Sequence, residues 1–90
     1  MTVPRVIREV KPNYTRGAMD AKIAGTVRIE VVVEKDGTVG EAIIIGSLDQ
    51  KFGLDQEALK AIKQWTFAPG VRLGAPVAVI IAVELTFTLK

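Results

Sequence analysis

The 90-residue sequence contains neither cysteine nor histidine, and the two absences exclude several classes of site. Without cysteine there are no disulfides, thiolate metal sites or cysteine nucleophiles, and without histidine there is no histidine-based triad or metal site. The apolar run at residues 77–83 stops at Glu84, well short of the roughly 18 residues that a membrane-spanning helix needs. We therefore expect no cofactor, no metal and no membrane insertion by this chain.

The remaining oxygen-bearing side chains are too sparse for a catalytic or calcium site. Ser47 is the single serine, and no base of the usual kind is available to activate it. Asp49 and Asp55 flank a loop, but a calcium site requires six to eight oxygen ligands. We expect these two carboxylates to solvate the loop and to cap a helix, and we expect that the protein is not an enzyme.

Charge is low and well mixed, with 12 Lys or Arg, 10 Asp or Glu and a formal net charge of +2. This balance favours an ordinary solvated surface over a nucleic-acid footprint. The segment Gly37-Thr-Val-Gly40 has the spacing of a phosphate-clamping GxxG loop, but it lies in a predicted β-turn and not between helices. An RNA-binding domain therefore rests on the basic pI alone, and we expect no nucleic-acid partner.

Residues 77–89 form the longest predicted strand. Every odd-numbered side chain in this stretch is apolar, whereas the even-numbered positions, apart from Ile80, are small or polar, which is typical of a half-buried strand. A shorter strand with the same alternation is predicted at residues 26–35, where Val27, Ile29, Val31 and Val33 share one face. The Asp36-Gly37 pair predicts a two-residue hairpin turn into a return strand at about residues 39–47.

The facing of the return strand is open, because Ile43, Ile44 and Ile45 are consecutive. Either a bulge near Gly40 or an Ile43 side chain on the open face of the sheet would accommodate them.

Two helices are predicted. The first begins at an N-cap Thr15 and ends at Gly25, and the second begins at an N-cap Asp55 and ends at about Gln64. The element order α-β-β-α-β predicts an α+β two-layer sandwich, with both helices on one face of a three-stranded antiparallel sheet. The last strand is expected beside the first, at an edge, and the aromatic side chains of the core are Tyr14, Trp65, Phe67 and Phe87.

An edge strand leaves one row of backbone N–H and C=O groups unpaired, and another chain can pair with that row. Residues 77–89 are therefore the predicted interaction surface. The occupant is left open between an extended peptide from a partner protein and a second copy of this chain, which would give a homodimer or a structural module.

The same residues resemble the C-terminal domain family of the energy transducer TonB. The resemblance extends from about residue 4 to residue 89, and it is carried by a set of short motifs in register with the predicted elements: Pro12-Asn-Tyr14-Thr15, Ala18, Ala21, Gly25-Thr-Val27, Asp36-Gly37, Ser47, Leu54-Asp55, Ala58, Trp65-Thr-Phe67-Ala-Pro69, Gly74-Ala-Pro76-Val77 and Phe87. On this basis residues 1–11 are an extended lead-in and residues 12–90 are the TonB C-terminal-like domain.

The resemblance implies a periplasmic domain of an inner-membrane-anchored protein that passes energy to outer-membrane receptors for active transport. In the family, the last strand captures the TonB box, a short receptor segment, by β-strand addition. Lys11 and Tyr14 belong to an element that lies near the receptor in the family. The partner-binding residues implied for this chain are Val77, Ala78, Val79, Ile80, Ile81, Ala82, Val83 and Glu84, together with Lys11 and Tyr14.

Two positions depart from the family's Gln-Pro-x-Tyr-Pro element: Lys11 replaces the glutamine and Thr15 replaces the second proline. The membrane anchor and the proline-rich spacer of the family are not part of this sequence. Contact with the inner-membrane motor proteins would therefore run through regions outside it.

Overall fold

The computed structural model describes residues 2–89, which form an elongated molecule of 49 × 20 × 15 Å. Two helices and seven strands lie within these residues. In chain order they are β1 (Arg5–Arg8), α1 (Arg16–Asp20), β2 (Gly25–Val33), β3 (Val39–Gly46), α2 (Leu54–Ile62), β4 (Thr66–Ala68), β5 (Gly70–Arg72), β6 (Ala75–Val77) and β7 (Val79–Phe87). Neither helix has the length and apolarity needed to cross a membrane.

The central sheet has the antiparallel order β3-β2-β7, which confirms the predicted α+β class, the helix pair and the last strand at an edge. β2 occupies the middle because one of its faces is wholly apolar. Val27, Ile29, Val31 and Val33 are fully buried there, against Ala18 of α1 and Leu54, Ala58 and Ile62 of α2. Trp65, Phe67 and Phe87 complete the core as predicted, and Tyr14 packs at its margin.

The first helix begins as predicted and ends earlier. The Thr15 hydroxyl accepts a hydrogen bond from the Ala18 N–H at 3.2 Å, as an N-cap should. The helix stops at Asp20, and Lys22 adopts a left-handed φ of 57°, so the prediction that Gly25 ends the helix is wrong. Gly25 instead opens β2, where it pairs with Phe87.

The predicted N-cap of the second helix is also wrong. Gly53, with φ 88°, holds that position, and Asp55 lies inside the first turn with 3% exposure. The carboxylate of Asp49 takes over the capping role, accepting from the backbone N–H groups of Lys51, Phe52 and Leu54. The helix ends at Ile62, two residues before the predicted end.

The hairpin between β2 and β3 forms where it was predicted, with a longer turn. Glu34 accepts from the Gly37 N–H and donates its own N–H to the Thr38 carbonyl at 2.8 Å. Only Gly37 has positive φ, at 87°, so the expected two-residue turn with two positive φ values does not form. The Asp36 carboxylate accepts from the Thr38 N–H and hydroxyl, which stabilises the wider turn and lowers the pKa of Asp36.

Both explanations offered for the consecutive isoleucines hold. The β2–β3 register shifts between Val31 and Val33, which places a bulge at residues 40–41 of β3. After that bulge Ile44 packs toward the core, while Ile43 and Ile45 lie on the open face, 56% and 50% exposed.

The long C-terminal strand is shorter than predicted. Val77 belongs to β6 and pairs with Gly70 of β5, Ala78 separates the two strands, and β7 ends at Phe87. The break follows from Leu73 and Gly74, both with positive φ, which close a tight hairpin between β5 and β6. The segment predicted as an extended lead-in, residues 1–11, contains strand β1, which pairs with β4, and Thr2 pairs with Val71 further along the same ribbon.

Candidate functional site

β7 presents a long and regular strand edge. It pairs with β2 through nine consecutive residues without a register shift. On its other side no strand is present among residues 2–89. A straight edge of this length is a template for a further strand, since its backbone groups are spaced for antiparallel or parallel pairing.

The direction of the backbone groups follows from the turn between β2 and β3. The Glu34 N–H points to Thr38, so even-numbered residues of β2 face β3 and odd-numbered residues face β7. β2 and β7 pair odd with odd, as Ile29 with Val83. The odd residues of β7 are therefore used within the sheet, and the outward N–H and C=O groups belong to the even residues: Ile80, Ala82, Glu84 and Thr86.

The opposite edge of the sheet is less suited to pairing. β3 carries the bulge at residues 40–41 and a second register shift that leaves Ile45 extra between Ile44 and Gly46. Bulges disrupt the spacing of the unpaired groups and twist an edge away from partners. Within the described chain, β7 is thus the better template of the two free edges of this sheet.

The side chains of β7 give the edge two different flanks. On the helix-bearing face Val79, Ile81 and Val83 are half-buried, and Ile81 and Val83 pack against the core. On the open face Ile80 is 62% exposed, and Glu84 lies 3.8 Å from Arg28 in an ion pair. Both members of that pair are well exposed, so we expect it to contribute less than about 1 kcal/mol to stability.

A cleft lies at the C-terminal half of the β7 edge. Residues 9–14, which we call the strap, form one wall through Glu9, Lys11, Pro12 and Tyr14, and β7 with its extension forms the other through residues 84–88. Lys11 and Glu84, 73 positions apart in the sequence, thus line one cleft. An added strand at β7 would therefore meet side chains of both signs at this end.

The strap is fixed at both ends by aromatic side chains. The Trp65 indole N–H donates to the Val10 carbonyl at 2.8 Å. The Tyr14 hydroxyl donates to the Ile23 carbonyl, and its ring meets Phe87 edge-on at 5.4 Å and 80°. The cleft wall is consequently held by the core, although the exposed Lys11 lies on the surface.

The structure brings together most of the residues predicted for partner binding. The six from Val79 to Glu84 are consecutive in β7, and Lys11 and Tyr14 join the Glu84 end through the strap. Val77 and Ala78 are separate: Val77 pairs within the β5–β6 hairpin, and Ala78 lines a groove with Glu34, Lys35, Asp36 and Thr38. The prediction did not include Glu9, which lines the cleft. It placed Trp65 in the core but not its hydrogen bond to Val10 of the strap, because a contact across 55 positions has no local sequence pattern.

The acidic and hydroxyl side chains are engaged in structural contacts. The Ser47 hydroxyl donates to the Asp55 carboxylate at 2.5 Å, and the Leu48 and Asp49 N–H groups donate to the same carboxylate at 3.0 Å. Burial would raise the pKa of Asp55, but these hydrogen bonds outweigh it and hold the pKa below its usual value. Among the described residues no cluster of acidic groups could hold a metal ion.

Comparison with known proteins gives consistent matches. The model of the family described as Gram-negative bacterial TonB protein C-terminal matches residues 10–89. Protein TonB of Vibrio cholerae is 38% identical over 85 residues, which cover 94% of this chain and 34% of that protein. Protein TonB of Klebsiella pneumoniae is 30% identical over 82 residues, covering 91% and 33% respectively. The chain therefore spans about a third of the length of these relatives.

A solved structure has the same fold. The solution NMR structure of the Pseudomonas aeruginosa TonB CTD superimposes with a TM-score of 0.77 at 25% sequence identity. The alignment covers 97% of this chain and 87% of that domain.

Proposed function

The chain belongs to the TonB C-terminal family, whose members are not enzymes, and from that premise we propose that it is the receptor-binding domain of a periplasmic energy transducer. Its partner is an outer-membrane receptor, from which it captures the extended TonB-box segment. The inner-membrane motor proteins are reached through other parts of the full-length transducer. In TonB proteins this domain is periplasmic, and we assign the same location here.

The observation that carries the proposal is the outward row of Ile80, Ala82, Glu84 and Thr86. Each residue offers one outward N–H and one outward C=O, so a captured strand can form about eight backbone hydrogen bonds. At about 1 kcal/mol net for each bond, they contribute about 8 kcal/mol before the peptide's ordering entropy is subtracted. Backbone pairing alone therefore gives only weak binding, and side-chain contacts must supply affinity and selectivity.

Two features next to the edge are suited to that role. The half-buried Val79, Ile81 and Val83 offer apolar contact to alternate side chains of an added strand. The cleft at the strap adds Lys11, Tyr14 and Glu84 at one end. Pulling along a captured strand loads its backbone hydrogen bonds in shear, which suits a domain that transmits force.

The test is a titration of isotope-labelled protein with a panel of TonB-box peptides, followed through amide NMR shifts. We expect the shifts to concentrate on residues 79–88 and on the strap. A silent β7 edge across the panel would contradict receptor capture. Light scattering over a range of protein concentrations distinguishes a monomer that captures a peptide from an edge-to-edge homodimer, which would use the same backbone row.

Two alanine-to-proline substitutions, one at the exposed Ala82 and one at the half-buried Ala42, make the titration selective for the edge. Ala82→Pro removes an outward N–H from β7, and Ala42→Pro removes an outward N–H from β3, because Ala42 and Ala82 both lie on the non-bonded side of their pairing with β2. Neither change removes a hydrogen bond of the native sheet. We expect Ala82→Pro to weaken peptide binding about fivefold, the worth of one backbone hydrogen bond, and Ala42→Pro to leave it unchanged; the reverse would place the peptide on β3.

A further inference from the structure

A second exposed surface comprises residues 2–8 and 66–77, which we call the basic ribbon; it extends from the N-terminal end of β7, where Gly70 packs against Val79, to the Leu73–Gly74 turn. β1 pairs with β4, and Thr2 exchanges two backbone hydrogen bonds with Val71, at 2.8 and 3.0 Å. β5 then pairs with β6. These contacts join the segments into one continuous ribbon that ends at the Leu73–Gly74 turn.

Positive charge is concentrated in the basic ribbon. It carries Arg5, Arg8 and Arg72, all exposed, and its sequence contains no aspartate or glutamate. The whole chain has 12 cationic and 10 acidic side chains, so the rest of the protein is slightly acidic. Two acidic groups border the ribbon: Glu9 directly follows Arg8 and is exposed, and Asp36 lies in the turn that abuts β4 at the end remote from Leu73. Neither ion pair within residues 2–89 involves these three arginines.

Large apolar side chains are exposed on the same ribbon. Val3, Ile7 and Leu73 are 64%, 69% and 97% exposed. Leu73 also has φ 52°, a left-handed conformation that leucine rarely adopts. A Cβ added at the neighbouring Gly74 would meet no atom within 4 Å, so the turn protrudes freely. The tip of the ribbon is therefore convex, with a leucine at its apex and an arginine beside it.

We propose that the basic ribbon docks on the surface of an anionic phospholipid bilayer. Arginines attract the negatively charged headgroups, and an apolar side chain at a convex tip can enter the boundary between headgroups and acyl chains. A protein interface usually has a packed apolar core of several side chains within a polar rim, whereas the apolar group at the tip of this ribbon is a single protruding leucine, 97% exposed. The contact is peripheral, and it lies outside the β7 edge that we assign to the receptor segment.

The expected affinity of the ribbon for an anionic bilayer is modest, and it can be divided into contributions from the arginines and from Leu73. Each basic side chain near an anionic surface changes the partition coefficient about fivefold at physiological salt. The three arginines together therefore raise the partition coefficient about a hundredfold, and this increase becomes smaller as the salt concentration rises. Entry of the Leu73 side chain adds about a further fivefold.

The experiment is co-sedimentation of the purified domain with vesicles of phosphatidylcholine, with and without 30% phosphatidylglycerol (about the anionic content of a bacterial membrane), at low and physiological salt. Three variants accompany the wild type. Arg5→Gln/Arg8→Gln/Arg72→Gln removes the charges of the ribbon, and Lys51→Gln/Lys60→Gln/Lys63→Gln removes the same charge from exposed positions elsewhere. Leu73→Asn removes the apolar side chain and keeps a residue that tolerates positive φ.

We expect binding to anionic vesicles to fall about a hundredfold in the arginine variant and about fivefold in Leu73→Asn. In the lysine variant the loss of binding should be several-fold smaller than in the arginine variant. Equal losses in the arginine and lysine variants would overturn the proposal, since binding would then report net charge. So would wild-type binding that is no stronger with phosphatidylglycerol than without it. Soluble polyglutamate is titrated in parallel; capture of it without vesicle binding would assign the ribbon to an acidic protein partner instead.

Discussion

Trp65→Phe tests whether the core controls the cleft beside the β7 edge. Trp65 is 5% exposed, and its indole N–H donates to the Val10 carbonyl at 2.8 Å. Phenylalanine fills part of the same space but has no donor. The substitution therefore releases one end of the strap and leaves the Tyr14 end attached.

The cost in stability has two parts. The lost hydrogen bond is worth about 1 kcal/mol, because Val10 is half-buried and its carbonyl can rehydrate. The smaller ring loses about 1–2 kcal/mol of burial and packing. We expect the free energy of unfolding to fall by about 2–3 kcal/mol, measured by urea denaturation.

The cost in binding is separate and depends on the peptide. Ordering one released backbone residue of the strap on binding costs about 1 kcal/mol, which lowers affinity about fivefold. A long TonB-box peptide that reaches Lys11 should show this loss. A short peptide that covers only Ile80 and Ala82 should bind wild type and variant equally.

Ile62→Val provides the matched control. Ile62 is fully buried and does not contact the cleft, and its truncation costs about 1 kcal/mol of stability. It should leave both peptides unaffected. If Trp65→Phe leaves the long peptide unaffected, or if Ile62→Val weakens it as much, then the proposed coupling between Trp65 and the cleft is wrong.

Two further predictions concern the stability of the fold. Because hydrogen bonds lower the folded-state pKa of Asp55, its contribution to stability is complete above the unfolded-state pKa of about 4 and is lost as pH falls through the folded-state pKa. Asp55→Asn should therefore show a flatter decline of unfolding free energy between pH 5 and pH 2. An unchanged slope would refute the assignment. Gly37→Ala should cost about 3 kcal/mol or more of unfolding free energy, measured by thermal or urea unfolding, because φ is 87° and the new Cβ would lie 2.0 Å from the Phe67 carbonyl oxygen. Gly74→Ala, with φ 79° and free space around the new Cβ, should cost only about 1 kcal/mol. Similar losses in the two variants would mean that the turn at Gly37 moves freely away from Phe67.

The central sheet could be predicted because its pattern is local. In β2, four apolar side chains at alternate positions specify one buried face, and the turn at Asp36-Gly37 fixes its neighbour. The odd face of β7 is equally regular, which placed Leu85 and Phe87 correctly in the core. Both strands are nine residues long, so the period of two was repeated often enough to be read without a structure.

The short elements could not be predicted for the opposite reason. β1 and β4 contain four and three residues and pair across about 60 positions, so neither has a pattern of its own. The helix cap failed because Asp49 and Asp55 are both suitable residue types, and only the three-dimensional loop decides between them. Asp55 is instead used by Ser47 and by two backbone N–H groups.

The feature that left the sequence ambiguous also distinguishes the two edges of the sheet. Three consecutive isoleucines cannot all face a core from a regular strand; in β3 only Ile44 does, and bulges at residues 40–41 and at Ile45 lie to either side of it. Those bulges disorganise the unpaired groups of β3, while β7, which has none, keeps its outward groups in register from Ile80 to Thr86. The asymmetry between the edges thus originates in β3, and it leaves β7 as the edge better suited to pairing with an added strand.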